Sequence, residues 1–485
     1  MLIPALAGCN QMTDDELPTE TPTSEPENDK TEEVFDTEDH FVSFVAYNKE
    51  TAMAKKLSQN GSLACRFTVP EGYLSQINAS MAQAGDVQFT LYKWNKDYAT
   101  TIAGEPIKQV TYLKENLSMY GTNSINLEIK LEENEAPAGH YLYVISMVKD
   151  SENHPLIFTG KPWSVNKLPE AYAEEYSKYN LYYISDGEKT TAEVAQSSFV
   201  FSKKVPHVDK AEENIPDAKD PEGTAKVILI GGQSNAEGAT LVSCLQNNVS
   251  PEKFDEYIKG YSNVKIMYEN ASALNVSDGF VDAKAGQGVA PQYYGPELGL
   301  AEYLAENFPD EKFYIIKYTK GGSVLDTEWY NAKTGTVHEL LQALTNLVWE
   351  GLEAIEAEGL TPKIVGFVWN QGESDAIYLP RSARYYANLE GLVNYVRTTF
   401  SDYASVKGIG FFDATIAPTV WNAYMSINMQ KHEFSKASPM NFIINIADYP
   451  DINALHENND IAHYDSLAMI KLGQLYGEQI AKILK

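Results

Sequence analysis

Two patterns of apolar and polar positions divide the chain. Between about residues 42 and 201, apolar residues fall in short runs or alternate with polar ones. Examples are Val87-Gln-Phe-Thr-Leu-Tyr-Lys-Trp94, Ile125-Asn-Leu-Glu-Ile129, His140-Tyr-Leu-Tyr-Val-Ile145 and Ser197-Ser-Phe-Val-Phe201. Period-two alternation rich in aromatic and β-branched residues predicts strands. Pro137-Ala-Gly139, just before the third run, is a turn signal. Many strands at this spacing predict an antiparallel β-sandwich, such as a jelly roll. Residues 169–183, with Glu170, Glu174, Glu175 and several tyrosines, read as an inserted helix or long loop. The abundant tyrosines suit half-buried strands, and they also suit stacking against sugar rings.

Past residue 224 the pattern changes. Continuously apolar strands are predicted at 227–230, 313–316, 364–369, 409–412 and 442–446. They alternate with amphipathic helices at about 336–358, 381–400 and 465–484. Strands without a polar face imply a parallel sheet covered on both sides, hence a doubly wound α/β domain. The segment 206–224 between the two patterns is polar and contains proline, as linkers do. The reading therefore has five parts: 1–9, which ends in Leu6-Ala7-Gly8-Cys9 and resembles a lipoprotein signal remnant; 10–39, a tether; 40–205, a β-sandwich accessory domain; 206–224, a linker; 225–485, the α/β domain.

Composition narrows the partners. The net charge is −29, from 67 acidic and 38 basic residues, so no basic stripe exists to displace counterions from phosphates. Nucleic acid is excluded as a partner on this ground, and charge alone would not hold the chain to an anionic membrane. From Thr13 to Asp39, Lys30 is the one basic residue among many acids, threonines and prolines. Such a segment cannot bury enough apolar area to offset its ordering entropy, so a disordered, self-repelling spacer is expected. The three cysteines, Cys9, Cys65 and Cys244, do not make a disulfide framework. Leu6-Ala7-Gly8-Cys9 resembles the lipobox of bacterial lipoproteins, although no basic residue precedes it. Acyl chains on Cys9 would anchor the chain to the bacterial cell envelope. Asp14-Asp15-Glu16 resembles the surface-export signals of Bacteroidetes lipoproteins, which points to the outer-membrane surface; the periplasmic face is the alternative.

The candidate chemistry lies at predicted strand ends. The strand 227–230 runs into Gly231-Gly-Gln-Ser234-Asn-Ala-Glu-Gly238, which puts Ser234 where ligands of open parallel sheets bind. A plain helix N-cap is the other reading of such a serine. Position 236 is Ala, so this is not the Gly-x-Ser-x-Gly elbow. Serine needs a base to take its proton. Of eight histidines, four lie in this domain: His338, His432, His456 and His463. Asp460 stands three residues before His463, so a single turn can bring its carboxylate to the imidazole Nδ1–H. His456 has Asp451 five residues back, a poorer local match, and His338 falls on the long helix. Gln371, in Trp369-Asn-Gln-Gly-Glu-Ser-Asp375, can donate to a developing oxyanion. Glu373 and Asp375 are read as caps of backbone amides rather than as a glycosidase pair. The Lys317-Tyr-Thr-Lys-Gly321-Gly322-Ser323 stretch offers glycine amides as further oxyanion donors.

These motifs in this order resemble the SGNH (GDSL-like) hydrolases, and more narrowly the sialate O-acetylesterases and the family six acetylxylan esterases. The resemblance rests on Gly232-Gln-Ser-Asn235, Gly295-Pro-Glu-Leu-Gly299, the 317–323 stretch, Gln371-Gly-Glu-Ser-Asp375 and Asp460-x-x-His463, and it covers residues 225–485. It departs at Ala236, where Met is frequent, and at Tyr464, where Pro is frequent. It implies an SGNH-type doubly wound sheet and a serine carboxylesterase that removes O-acetyl groups from plant polysaccharide or sialoglycan. Ser234 would be nucleophile, His463 base and Asp460 its orienter. The amide of Ser234, that of Gly322 or Gly321, and Gln371 would form the oxyanion hole, with no metal or organic cofactor. Another acyl ester, or a non-catalytic glycan-binding surface lipoprotein, is the alternative.

Overall fold

The computed structural model describes residues 35–43, 45–46, 53–117, 125–162, 177–190, 194–206, 215, 217–377, 379–417, 423–449, 452, 460 and 462–484. Cys9, residues 10–34 of the tether, residues 163–176 and His456 lie outside them, whereas residues 35–39, read from the sequence as the end of the disordered tether, are strand paired with residues 202–206. The longer strands of the first half are β1 (Phe35–Ser43), β2 (Ser62–Gln83), β3 (Val87–Lys93), β4 (Lys108–Tyr112), β5 (Ile125–Lys130), β6 (Pro137–Met147), β7 (Leu156–Pro162), β8 (Tyr182–Ser185) and β9 (Ser197–Pro206). All their pairings are antiparallel. One layer runs β8-β2-β6-β3-β4 and the other β1-β9-β2-β5, so the 22-residue β2 belongs to both. It changes layer where its register with β6 shifts, between Val69 and Tyr73. Gly72 makes the bend at φ +63°, and a Cβ there would lie 2.1 Å from the Ser202 carbonyl oxygen.

Alternation then decides the core. Phe67, Phe89, Tyr141 and Tyr143 of the first layer meet Ile77, Leu127 and Phe199 of the second, all buried. The Phe67 and Phe199 rings stand 4.7 Å apart. The segment 169–183, expected to be a helix or loop, ends differently: Tyr182 and Tyr183 open β8, and Tyr179 and Tyr183 join the core.

The second half is a seven-stranded sheet in the order β12-β11-β13-β10-β14-β15-β16. Its strands are β10 (Thr224–Gly232), β11 (Tyr261–Asn270), β12 (Val281–Ala283), β13 (Phe313–Thr319), β14 (Thr361–Asn370), β15 (Gly410–Ala414) and β16 (Asn441–Ile444). Every neighbouring pair is parallel except β11 with β12. The covering helices are α2 (Pro296–Asn307), α3 (Glu339–Ala357), α4 (Tyr385–Thr399), α5 (Tyr424–Ser435) and α6 (Ser466–Leu484), while α1 (Ser234–Glu237) is a single turn. Ile228 and Ile230 of β10 pack with Leu298 and Leu472 on the α2–α6 side. Val227 and Leu229 pack with Leu344 and Leu389 on the α3–α4 side. The doubly wound sheet is therefore as expected, with β11, β12, α2 and α5 added to the sequence reading. No helix among the described residues is long and apolar enough to cross a membrane.

Strand order places the site. From β10 the chain passes over β13 to β11, returns to β13, then crosses β10 to reach β14. The winding thus reverses around β10, and its carboxyl end opens on the crevice where such sheets bind ligands. The end of β14 is tied into this place by Asp375, whose Oδ2 accepts the Leu325 amide at 3.0 Å and Gln371 Nε2 at 2.6 Å. Burial pushes its carboxyl up to about 7 despite those two bonds, and neighbouring Asp326 adds to the effect.

Two outcomes are expected. A Cβ on Gly299 would lie 2.0 Å from the Ile470 carbonyl oxygen, so α2 and α6 touch through this glycine. Gly299→Ala should destabilise by about 2 kcal/mol of overpacking, exceeding the ~1 kcal/mol gained in helix propensity. Thermal melting reads this, and an unchanged or raised midpoint would overturn the packing argument. Asp375 holds its proton in the folded chain while the unfolded carboxyl ionises near pH 4, at about its ordinary value. The folded state therefore binds the extra proton, and stability falls as pH rises from about 4 towards 7. Denaturant unfolding of Asp375→Asn beside the parent should show a difference that shifts in favour of the variant over this window; a pH-independent difference would refute it.

Candidate active site

Three strand ends meet because β10 lies between β13 and β14 in register, with Gly232 level with both Thr319 and Asn370. A Cβ on Gly232, at φ +139°, would sit 2.2 Å from the Asn370 carbonyl oxygen, so only glycine lets the strands close here. The chain turns at once, with the Gln233 amide bonded to that carbonyl at 2.9 Å, and Ser234 opens α1. Ser234 is half-buried between the buried Gln233 and Asn235. Gly238, at φ +92°, ends the turn against Gly295, whose amide nitrogen is 2.5 Å from where a Cβ would stand.

Asp460 and His463 form the local pair that their spacing suggests. Asp460 Oδ2 lies 2.7 Å from His463 Nδ1, and Oδ1 accepts the amides of Ala462 at 2.9 Å and His463 at 3.1 Å. Burial opposes ionisation of Asp460, but the Ala462 amide and the His463 imidazole outweigh it and hold the carboxyl below its ordinary value. The residue that ties this turn to the one bearing Ser234 is Asn235. Its Oδ1 accepts the Tyr464 amide at 3.3 Å, and its Nδ2 donates to the Ala462 carbonyl at 3.5 Å. Asn235 thus holds the backbone on both sides of His463 while standing next to Ser234 in the chain. Thr240 Oγ1 adds a bond to the Tyr464 carbonyl at 2.9 Å. Glu373 Oε1 accepts from Asn235 Nδ2 at 2.9 Å, which orients the amide.

The β13 end folds back over the same turn. The Lys320 amide donates to the Gly232 carbonyl at 3.1 Å. A Cβ on Gly321 would be 3.8 Å from Ser234 Cβ and 2.8 Å from Glu237 Oε2, and the Gly321 amide faces that carboxylate. Gly322, at φ +67°, is exposed with open space where a Cβ would be. Burial raises the Glu237 carboxyl, while the ammonium of Lys317 works against the rise.

Gln371 takes a different part from the one its motif suggests. It is fully buried, and its Nε2 donates to Asp375 Oδ2 at 2.6 Å, the Ser323 carbonyl at 3.0 Å and Gln233 Oε1 at 3.3 Å. All three acceptors are protein oxygens, so in this arrangement the amide staples the strand ends together. Asp375 caps the Leu325 amide as expected, whereas Glu373 accepts from the Asn235 side chain rather than from a backbone amide. His338 stands just before α3 rather than on it, and His432 lies on α5, where burial lowers its pKa.

Sequence reasoning passed over the support beneath Ser234. Lys317 is buried, and its Nζ donates to Glu297 Oε2 at 2.9 Å, the Glu237 carbonyl at 2.9 Å and the Gln287 carbonyl at 3.0 Å. Glu297 is itself buried and accepts the Gly295 amide at 2.8 Å. The Gly295-Pro-Glu-Leu-Gly299 motif and Lys317 were visible as sequence, but their pairing is a contact between strand and helix. For a metal, the described residues bring Glu256, Glu302 and Glu306 together, yet the Lys253 ammonium already lies among these carboxylates.

Residues 224–482, more than half of the chain, match the family model described as "Carbohydrate esterase, sialic acid-specific acetylesterase". Comparison with curated proteins gave no match. Among solved structures, the chain is similar to a protein from Arabidopsis thaliana at 14% identity and a TM-score of 0.41, covering 53% of this chain and 98% of that one. It is similar to a novel carbohydrate acetylesterase from Xanthomonas citri at 12% identity and a TM-score of 0.36, covering 84% and 72%. NanS matches at 15% identity and a TM-score of 0.37, covering 54% and 97%. The chain belongs to this carbohydrate esterase family, and it is an esterase.

Proposed function

We propose that the chain removes O-acetyl groups from a glycan by acyl transfer through Ser234. The observation that supports this reading is the pair of hydrogen bonds from Asn235, the residue after Ser234, to the backbone on either side of His463. The family's description supplies the acetyl group and the sugar. In the proposed reaction His463 takes the Ser234 hydroxyl proton as Oγ attacks the acetyl carbonyl. The carbonyl oxygen gains charge and receives hydrogen bonds from the Ser234 amide at the start of α1 and from the amide of Gly322. Gly322 is favoured over Gly321, whose amide faces Glu237. Gln371 supports this pocket from behind and would turn into it only by releasing Asp375 or the Ser323 carbonyl. The sugar alcohol leaves with the proton from His463, and water attacks the acetyl-serine to release acetate. Asp460, held ionised, keeps the Nδ1–H tautomer and stabilises the imidazolium.

For place, we propose a lipid-anchored protein of the bacterial cell envelope, held through Cys9 and carried out from the outer membrane by the acidic tether. Cys9 lies outside the described residues, and this part rests on the sequence.

Ser234→Ala should lower acetate release by about ten-thousandfold or more, with circular dichroism unchanged. Undiminished turnover of 4-nitrophenyl acetate and acetylated glycans would sink the nucleophile assignment. Asp460→Asn should leave KM near the parent value and cut kcat by roughly a thousandfold to ten-thousandfold, because the imidazole loses its orienting partner. A drop of less than about threefold would make the Asp460–His463 contact merely structural.

A further inference from the structure

The first layer of the β-region has two faces, and only one is used by the core. On the outer face, register lines up Tyr182 of β8, Arg66 of β2, Leu142 of β6 and Tyr92 of β3 in one row. Trp94 follows β3 and bonds through its amide to the His140 carbonyl at 2.9 Å, which puts it in the next row. Beneath them Ala64, Leu142, Val144 and Ile184 are buried. Tyr92, Trp94, Tyr98 and Tyr182 are half-buried on top of these aliphatic residues. What this face presents to solvent is therefore ring surface rather than aliphatic surface.

Cations frame the rings. The Arg66 guanidinium lies over Trp94 at 5.8 Å, and the Lys189 ammonium lies over Tyr182 at 4.6 Å. Arg66 also donates to the Asn180 carbonyl at 2.9 Å, which fixes the guanidinium while leaving other N–H groups. Neither cation forms an ion pair with a carboxylate among the described residues, in a chain of net charge −29. Unpaired cations beside aromatic rings complement an anionic ligand that also carries apolar faces.

We propose that this outer face binds an acidic glycan, with a sugar ring stacked on Tyr92 and sugar carboxylates facing Arg66 and Lys189, the cations that Trp94 and Tyr182 hold in place. A sugar ring has C–H faces and a hydroxyl rim, and it matches aromatic planes tipped with hydroxyl and indole N–H donors. The row spans four strands, about 14 Å, enough for a short stretch of polysaccharide rather than one monosaccharide. Bound there, a polymer presents its acetyl groups at raised local concentration to the crevice proposed as the esterase site. That gain rests on the esterase reading, whereas binding itself does not.

Affinity electrophoresis of the full chain tests this, using gels cast with polygalacturonan, polysialic acid or neutral galactomannan. The two acidic polymers distinguish uronate from sialate as the source of the carboxylate. Retardation by at least one acidic polymer, weakened by salt and absent with galactomannan, is expected. Trp94→Ala and Arg66→Gln should each weaken it about tenfold, with hydrolysis of 4-nitrophenyl acetate unchanged. Lys189→Gln, an exposed change, gives a smaller loss and guards against misfolding of the others. The Ser234→Ala chain should bind as the parent does, so failure of the nucleophile assignment would leave this result standing. No retardation by either acidic polymer, equal retardation by galactomannan, or retention unaffected by all three face substitutions would overturn the proposal.

Discussion

The buried ammonium of Lys317 is the constraint around which the esterase half is built. A charge removed from water is tolerable only when each of its protons finds an acceptor. Glu297, the Glu237 carbonyl and the Gln287 carbonyl supply the three. Meeting that requirement draws together β13, the start of α2, the loop before it and the turn that opens with Ser234. Ser234 is then presented by a turn whose far end is held from below and whose near end is closed against Asn370. Ser234 itself needs few contacts, because this platform leaves it few alternatives.

A second chain of contacts works from above. Glu373 orients Asn235, and Asn235 holds the backbone around His463. Glu373 and Asp375, two residues apart, act as acceptors that hold strand ends in place. This division explains why so many charged residues near the site are buried while Ser234 and His463 remain half-buried. Reactive groups have to meet substrate, whereas the groups that aim them are better kept from water.

How much of this could be read from the sequence followed physical range. The strands at 227–230, 313–316 and 364–369 were legible because burial on both faces leaves continuous apolar runs. The Asp460–His463 pair was legible because three residues is one turn. β11 was not, since a strand next to the short edge strand β12 keeps Ser262, Asn263 and Lys265 among its apolar residues. Gln371 was recognised but not its direction, which depends on Ser323 and Gln233, distant in the chain. The tyrosines stayed ambiguous for the same reason: alternation separates Tyr92 from Phe89 and Leu91, but only register shows which rings gather on the outer face.

The bent strand β2 has a mechanical consequence. Through its 22 residues it bonds to five other strands, and both layers hang on one continuous backbone. Neither layer can open, slip or be exchanged between molecules without tearing the other, so the β-region behaves as one cooperative unit. Insertions and new chain ends are therefore best accepted in its connecting loops, and worst at Gly72, where a single bend carries the chain from one layer to the next.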